Sequence, residues 1–284
     1  MTKLKTFFAL CRMIKIEHSI FALPFAWFGL FAAQDTFPSL LTFIVFSLAM
    51  VCGRSFAMGI NRILDVKIDT ENPRTLMRPL VTGEITKKQA LIFSLSMGVG
   101  LLIFSALLNI KCVILAIIIL CLSVLYSYAK RFTFLCHFIL GLILGLSPVA
   151  GWLATGTELT LTPILIGLGV MFWVAGFDII YACQDFEFDL KQGLNSFPVK
   201  YGLNTALTFA GFFHINTIIF FLLSGLALNL NFYWYLIMAT VSGLLIWQHK
   251  LVSHTNLSKV NIAFFYINAI ISPLILLGFI LCSP

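Results

Sequence analysis

Long apolar segments with few charges are the feature of this chain that most limits how it can fold. In lipid, every backbone N–H and C=O group must be bonded within the protein, so only helices and closed barrels can span a membrane. Barrel strands would alternate polar and apolar residues over about ten positions, whereas these segments are continuously apolar for about twenty. A soluble domain has about 25% charged residues, and this chain has 10%. These patterns predict an all-α membrane protein.

Nine apolar segments predict nine transmembrane helices, which we expect to form a single bundle. The segments are 17–34, 40–64, 90–109, 112–129, 134–154, 161–184, 205–228, 232–249 and 262–281. No small-x-small cleavage site follows the first segment, so we expect it to be retained as a helix. The two longest polar stretches, 65–89 and 185–204, are predicted to be inner loops that cap the site of a single domain covering residues 1–284.

The placement of basic residues predicts the orientation of these helices. All of the 18 Lys and Arg residues except Arg54 and Lys111 fall in segments that lie inside if the amino terminus is inside. Cytoplasmic loops carry an excess of Lys and Arg, so the amino terminus and both long loops are predicted to be cytoplasmic. The net charge of +7 is spread over segment ends and forms no single patch, which argues against a nucleic-acid partner. No obligate protein partner is indicated.

A polar motif stands where the second apolar segment ends. Asn61, Asp65 and Asp69 are spaced at i, i+4 and i+8, so a helix would place them on one face. Two carboxylates one turn apart can share a divalent cation with an outside anion such as a diphosphate. A polar cap where a helix leaves the lipid would explain a single such Asp equally well.

The motif has a second copy 120 residues later, which comprises Tyr181, Asp185 and Asp189. This repeat favours a metal site over a cap and indicates two similar halves. The carboxylates stand at helix carboxyl ends, where the helix dipole disfavours each by about 0.3–1 kcal/mol, and they also repel one another. Bound cations would remove both costs, and oxygen ligands without His or Cys favour Mg²⁺ over zinc. The predicted metal ligands are Asn61, Asp65, Asp69, Asp185 and Asp189.

Basic residues at the same level of the membrane are candidates to hold phosphate oxygens. They are Arg62, Lys67, Arg74, Arg78, Lys130, Arg131 and Lys191, and the inner-side excess of positive charge explains any single one as well. Arg54 differs, because it lies within an apolar segment, where an Arg costs about 2.5–3.5 kcal/mol and should face a cavity or a partner. Asp178 stands seven residues before Asp185, as Arg54 stands seven before Asn61. Either Arg54 and Asp178 form a structural pair, or both contact a substrate.

Other polar and small residues have simpler interpretations. The seven Cys contain no CxxC pair and are expected to pack in the interior. Glu187 should point away from Asp185 and Asp189 on a helix and is left out of the metal set. Close helix packing is expected at four glycines, Gly29, Gly141, Gly145 and Gly151. Four histidines show no metal-like spacing, namely His137, His214, His249 and His254.

Four stretches together resemble a known family. They are Arg54 to Thr75 around the first motif, Arg78-Pro-Leu to Gly83, Tyr126-Ser-Tyr-Ala-Lys130-Arg131, and Asp178 to Asp189 around the second motif. The chain resembles the UbiA-type intramembrane aromatic prenyltransferases over nearly its whole length, in the branch similar to 4-hydroxybenzoate polyprenyltransferases. Residues 15–24 and 173–178 look most like a bacterial branch, some members of which are linked to menaquinone synthesis with a naphthoate acceptor. Glu17-His18 replace the Lys-Pro of many ubiquinone-pathway members, so benzoate and naphthoate acceptors both stay open.

The resemblance implies an enzyme that joins the polyprenyl group of an allylic polyprenyl diphosphate to an aromatic acid, for ubiquinone or menaquinone synthesis. Loss of diphosphate, held by Mg²⁺ between the two motifs, leaves an allylic cation that an electron-rich ring carbon attacks before losing a proton. The implied catalytic residues are Asp65, Asp69, Asp185, Asp189, Lys130 and Arg131. The implied substrate-binding residues are Arg54, Asn61, Arg62, Lys67, Arg74, Arg78, Tyr126, Asp178 and Tyr181. The resemblance also implies a multi-pass protein of the bacterial cytoplasmic (inner) membrane, with its active site on the cytoplasmic side.

Two other functions fit parts of the pattern. A same-fold enzyme would prenylate haem or a chlorophyll-type acceptor. A cation-coupled transporter would also carry intramembrane acids and internal repeats. Against a transporter, the acids lie at one membrane face, follow the i, i+4, i+8 spacing and precede long polar loops.

Overall fold

The structure of the protein, a computed structural model, describes residues 3–16, 19–34 and 36–283. These residues form twelve α-helices and no strand. The helices are α1 (Lys3–Ile14), α2 (Ser19–Ala32), α3 (Leu40–Asp69), α4 (Lys87–Leu108), α5 (Ile110–Ala129), α6 (Cys136–Ala154), α7 (Leu161–Ala182), α8 (Phe186–Lys191), α9 (Phe197–Tyr201), α10 (Leu203–Ala227), α11 (Phe232–Lys250) and α12 (Asn268–Cys282). A 3₁₀ turn, Cys183–Asp185, separates α7 from α8, and a π-helical segment, Ile262–Ile267, precedes α12. Glu17 and His18, on which the choice of acceptor depends, lie outside the described residues.

The prediction of a helical, multi-pass membrane protein is confirmed. Among the described residues, seven helices are long and apolar enough to cross a membrane. They are α3, α4, α5, α6, α7 with its extension to Lys191, α10, and the segment Ile262–Cys282. The other two predicted spans correspond to α2 and α11. With 14 residues at about 1.5 Å each, α2 is shorter than a hydrocarbon core of about 30 Å, so the count of nine spans stays a prediction.

One compact unit contains residues 1–19 and 39–128. Its first helix, α1, is not among the predicted spans, because basic residues interrupt its apolar pattern. One face of α1 buries Met13 and Ile14 in a cluster with Ile85. On α3, a Cβ added to Gly59 would lie 2.0 Å from the Ser94 Oγ of α4, so these two helices approach closely. Because α1 and α4 both pack against α3, the helix that carries the first motif is held from two sides.

The other compact unit contains residues 20–38 and 129–284. Its helices α6 and α7 pack backbone to backbone, since a Cβ added to Gly145 would lie 2.6 Å from the Gly167 carbonyl oxygen. A Cβ added to Gly151 would lie 2.3 Å from the Ala26 carbonyl oxygen of α2. The remaining two predicted glycines make similar approaches, so the predicted packing role of all four is confirmed. The core of this unit is rich in aromatic side chains, with Trp173 fully buried.

Candidate functional site

The first motif lies on a continuous helix. α3 runs to Asp69, and the Thr70 N–H still bonds to the Val66 carbonyl oxygen at 3.1 Å. The prediction that Asn61, Asp65 and Asp69 share one helical face is confirmed. The loop predicted to begin at residue 65 begins after the motif instead, because helical backbone hydrogen bonding continues through it.

Both carboxylates of this motif are buried, with 3% of Asp65 and 5% of Asp69 exposed. Asp65 Oδ2 accepts a hydrogen bond from Asn61 Nδ2 at 3.1 Å, and Asp69 Oδ2 pairs with Arg78 Nη1 at 2.6 Å. Arg62 Nη1 donates to Asn61 Oδ1 at 3.1 Å, and its charge also interacts with both carboxylates. Two guanidinium groups therefore offset the unfavourable negative charge at this helix end.

The chain after α3 turns back so that Arg78 reaches Asp69. Thr75 Oγ1 donates to the Asp69 carbonyl oxygen at 2.8 Å, and the Arg74 N–H donates to Asn72 Oδ1 at 2.9 Å. Asn72 and Thr75 are themselves buried. They shape the turn, and the contribution of Thr75 was not predicted from the sequence. Asn followed by Pro is the sequence signal for such a turn.

The other predicted residues near the first motif differ in exposure. Tyr126 is half-buried and interacts electrostatically with Arg62, so it belongs to the same polar cluster. Lys67 and Arg74 are exposed. Lys67 stands two positions from Asp65, and such a spacing turns a helical side chain away from the face of the motif.

Arg54 has a partner within its own unit. Its Nη1 donates at 3.2 Å to the carbonyl oxygen of Ile14, the last residue of α1. The helix dipole favours a cation at this end. The prediction that an Arg within an apolar segment faces a partner is confirmed, whereas its pairing with Asp178 stays a prediction.

The second motif does not lie on one continuous helix, in keeping with the predicted end of the apolar segment at residue 184. Tyr181 lies in the last turn of α7, Asp185 ends the 3₁₀ turn, and Asp189 lies in α8. At the break, Gln184 Nε2 donates to the Tyr181 carbonyl oxygen at 3.1 Å, and the Phe186 N–H bonds to the carbonyl oxygen three residues back. This tighter pattern turns the chain more per residue than an α-helix does. The backbone between Tyr181 and Asp189 therefore departs from a regular α-helix.

Asp189 lies in a polar cluster with Lys130. Its carboxylate lies near the Ser196 side chain, and the charges of Asp185 and Lys130 act on it. The Asn195 N–H donates to the Lys130 carbonyl oxygen at 2.6 Å. The loop after the motif thus folds back onto the start of the segment that follows α5. Ser196 is a member of this cluster that the sequence interpretation missed.

The remaining residues near the second motif are mostly exposed. Arg131, Lys191 and Glu187 are exposed, which supports leaving Glu187 out of the metal set. The ring of Tyr181 packs against Phe264 of the π-helical segment, with 4.2 Å between ring centroids. This contact orients the ring of Tyr181, which the family resemblance implies is a substrate-binding residue.

Asp178 has a partner that the sequence did not indicate. Its Oδ2 lies 2.7 Å from Nδ1 of His137, which is 3% exposed. The two residues are 41 positions apart, and His137 has no metal-like spacing. Only the packing of α6 against α7 brings them together.

The oxygen donors of the first motif fit Mg²⁺. Carboxylate and amide oxygens are the ligands this hard cation prefers, and it is usually held by one or two carboxylates plus substrate phosphates and waters. In the part of the chain that the structure describes, no group of three His, Cys, Asp or Glu side chains forms a complete metal cage. Carboxylate and amide oxygens of this kind suit a cation that binds together with a phosphate ligand.

Comparison with known proteins identifies the family. The sequence profile of the UbiA prenyltransferase family matches residues 22–270. The chain belongs to the UbiA prenyltransferase family. It is 30% identical over 258 residues to a 4-hydroxybenzoate octaprenyltransferase of Photobacterium profundum, covering 89% of this chain and 88% of that protein. It is 33% identical over 241 residues to a mitochondrial 4-hydroxybenzoate polyprenyltransferase of Dictyostelium discoideum, covering 83% of this chain and 51% of that protein.

Solved structures of UbiA proteins share the fold. A UbiA homolog from Aeropyrum pernix K1, solved in its apo form, superposes with a TM-score of 0.84 and 31% identity, covering 94% of this chain and 98% of that one. A UbiA homolog from Archaeoglobus fulgidus bound to DMAPP and Mg²⁺ has a TM-score of 0.69 at 23% identity, covering 94% of this chain and 98% of that one. This chain is thus a UbiA-family membrane prenyltransferase, similar to 4-hydroxybenzoate polyprenyltransferases.

Removing the charge of Arg78 is expected to destabilise this UbiA protein. Arg78→Gln would leave the Asp69 carboxylate buried without its ion pair, which we expect to lower the free energy of unfolding by about 1–3 kcal/mol. Little water reaches the pair, because the Arg78 and Asp69 side chains are 20% and 7% exposed. Denaturant unfolding in detergent micelles measures the change. The double variant Asp69→Asn/Arg78→Gln should lose less than the sum of the two single variants, and a fully additive loss would contradict the pairing.

Proposed function

We propose that this protein transfers a polyprenyl group from an allylic polyprenyl diphosphate to an aromatic acid, 4-hydroxybenzoate or a hydroxynaphthoate, in ubiquinone or menaquinone synthesis. The observation that carries the proposal is the pair of buried carboxylates, Asp65 and Asp69, beside Arg62 and Arg78. Acids and guanidinium groups in one cluster suit a ligand that combines cations with phosphate charge. The names of the relatives support an aromatic acid as acceptor.

In the proposed mechanism, the first motif holds the metal–diphosphate group. Asn61, Asp65 and Asp69 provide oxygen ligands for Mg²⁺. When bound, Mg²⁺ neutralises charge on the diphosphate and so favours its departure from the allylic carbon. Arg62 and Arg78 donate N–H groups to the phosphate oxygens, and fixed donors of this kind stabilise developing negative charge.

The second motif and its neighbours complete the proposed set. Asp185 and Asp189 contribute further oxygen ligands, while Lys130 and Arg131 bind the diphosphate and the carboxylate of the acceptor. The assignment of both motifs to one substrate is supported by their shared spacing and by the family resemblance. The ring faces of Tyr126 and Tyr181 shield the allylic cation through cation–π attraction.

The proposal extends to the membrane arrangement. The chain forms a single domain of nine spans with two similar halves, in which α2 and α11 are the two spans added to the seven apolar ones. The amino terminus and the active site face the cytoplasm of a bacterial cell, in its cytoplasmic membrane. The distribution of Lys and Arg between the predicted loops supports this orientation.

One assay tests the reaction. The purified full-length chain in lipid vesicles receives Mg²⁺, geranyl or octaprenyl diphosphate, and either 4-hydroxybenzoate or 1,4-dihydroxy-2-naphthoate. We expect release of diphosphate and a prenylated ring, detected by mass spectrometry, and the acceptor with the higher kcat/KM identifies the pathway. Removal of Mg²⁺ with a chelator should abolish product.

The same vesicles test the rival function. If no aromatic acid is prenylated while a gradient of Na⁺ or H⁺ drives ion flux that depends on Asp65, the protein is a transporter and the proposal fails. Prenylation of a haem or chlorophyll-type acceptor in place of the acids would support prenyl transfer but would contradict the proposed role in quinone synthesis.

A further inference from the structure

We propose that His137 is a positioning residue for the transfer reaction, because it holds the Asp178 carboxylate and the polar loop after the second motif in one arrangement. The inference rests on the proposed function and on the substrate-binding role that the family resemblance implies for Asp178. His137 lies in the first turn of α6, Asp178 lies in α7, and the loop leads from α8 to α9. All three elements belong to the unit of residues 20–38 and 129–284.

Both ring nitrogens of His137 have partners. Nδ1 lies 2.7 Å from Asp178 Oδ2, and the Phe197 N–H donates to Nε2 at 3.3 Å. A nitrogen that accepts a hydrogen bond carries no proton, so Nε2 is the unprotonated nitrogen of a neutral ring and Nδ1–H is the donor to the carboxylate. The ring is 3% exposed, so water does not compete for either nitrogen. One tautomer thus satisfies both neighbours at once.

The bond to Phe197 anchors the loop where α9 begins. Close by, the Asn195 N–H donates to the Lys130 carbonyl oxygen at 2.6 Å, and Cys136 Sγ donates to the Asn195 carbonyl oxygen at 3.8 Å. Residues 195–197 therefore dock along the chain from Lys130 to His137. Among these contacts, the hydrogen bond between Phe197 and His137 is the one that connects the loop to Asp178, because the same ring also bonds to Asp178.

The docked loop also holds the second motif. The Leu194 N–H donates to the Asp189 carbonyl oxygen at 2.9 Å, and the Ser196 side chain lies near the Asp189 carboxylate. Because Leu194 and Ser196 lie within three residues of Phe197, a shift of the Phe197 N–H displaces the residues that contact Asp189. His137 thus links the orientation of Asp178 to the placement of Asp189.

A buried His that only fills space would behave differently from a positioning residue. Two partial replacements separate its two bonds. In His137→Asn the amide nitrogen takes the place of Nδ1 and can still donate to Asp178, while the bond to Phe197 is lost. In His137→Gln the amide oxygen takes the place of Nε2 and can still accept from Phe197, while the bond to Asp178 is lost.

The experiment compares His137→Ala, His137→Asn and His137→Gln in the full-length chain, with exposed His254→Gln as the control. Steady-state kinetics use geranyl diphosphate and whichever aromatic acid the wild type prenylates. Hydrogen–deuterium exchange of residues 192–200 reports the loop without reference to activity, and thermal unfolding reports the folded fraction.

We expect His137→Ala to lower kcat by about 10–100-fold, as loss of a residue that orients an active-site group does, with a much smaller change in KM for geranyl diphosphate. His137→Gln should keep the loop protected and lose kcat. His137→Asn should expose the loop and retain more kcat than His137→Ala. The control should match the wild type in every measurement.

Two results would overturn the proposal. One is that His137→Ala keeps the kcat of the wild type and the same protection of the loop from hydrogen exchange. The other is that kcat falls in all three variants only in proportion to the folded fraction, and that His137→Asn and His137→Gln give the same results. If the wild type itself prenylates no acceptor, the proposed function fails, while the exchange of residues 192–200 still decides whether His137 holds the loop.

Discussion

Asp65→Asn is expected to lower kcat for prenyl transfer by about 10²–10³-fold, the loss typical when one preorganised electrostatic group is removed. The substitution preserves the shape of the side chain, and its amide oxygen can still accept from Asn61 Nδ2, which lies 3.1 Å from Asp65 Oδ2. What disappears is the negative charge that attracts Mg²⁺. The folded protein should therefore survive while turnover falls. Single-turnover formation of prenylated acid at saturating Mg²⁺ measures the effect.

Asp185→Asn provides the matching experiment on the second motif. If both motifs serve one metal–diphosphate group, the double variant should lose little more than either single variant, because residues that act as a unit have non-additive effects. Glu71→Gln and Glu187→Gln remove exposed carboxylates beside each motif and should leave turnover unchanged. Normal turnover in both Asp→Asn variants would refute the proposed mechanism.

Gly151→Ala is expected to cause a large loss of stability through a single added methyl group. Its Cβ would lie 2.3 Å from the Ala26 carbonyl oxygen and 2.6 Å from the Leu30 N of α2. Backbone atoms cannot rotate away as a side chain can, so α2 and α6 must move apart. Overpacking of this kind costs about 1–3 kcal/mol. The expected result is a lower melting temperature in detergent and a smaller yield of folded protein.

Gly243→Ala is the matched control for this prediction. Gly243 is an exposed glycine of α11, and a Cβ added there meets no atom within 4 Å. Because Ala loses less backbone entropy than Gly in a helix, the control should be neutral or more stable by about 0.5–1 kcal/mol. Equal melting temperatures for the two variants would show that α2 and α6 do not pack as described.

Sequence patterns correctly predicted those features that depend on interactions between residues close together in the chain. The first motif lies on one face of α3, as its spacing indicates, because nothing interrupts helical hydrogen bonding before Thr70. The second motif has the same spacing, yet the helix breaks at Asp185. There the side chain of Gln184 donates to the Tyr181 carbonyl oxygen. The spacing does not reveal this contact, although hydropathy predicted that the apolar segment ends at residue 184. Helix α1 was not predicted, because basic residues interrupt its apolar pattern.

Side-chain partners distant in sequence could not be assigned in the same way. Arg78 reaches Asp69 across nine positions because the turn around Asn72 and Thr75 folds back. From the sequence, Arg74 and Lys67 were equal candidates to approach the acids, and both are exposed. Positive charge on the inner side of a membrane has several causes, so charge alone does not single out a ligand.

The sequence by itself determined that this chain is a helical membrane protein with two acidic motifs, and it carried the resemblance to UbiA enzymes. The fold class follows from the sequence because a backbone in lipid must bond its polar groups internally, which only helices and closed barrels do. The motifs can be recognised because residues spaced at i, i+4 are neighbours on one face of a single helix. Only the tertiary structure decided that Arg78 pairs with Asp69 and that His137 holds Asp178 across 41 positions. Those contacts depend on how turns and packed helices meet, and no local pattern records that.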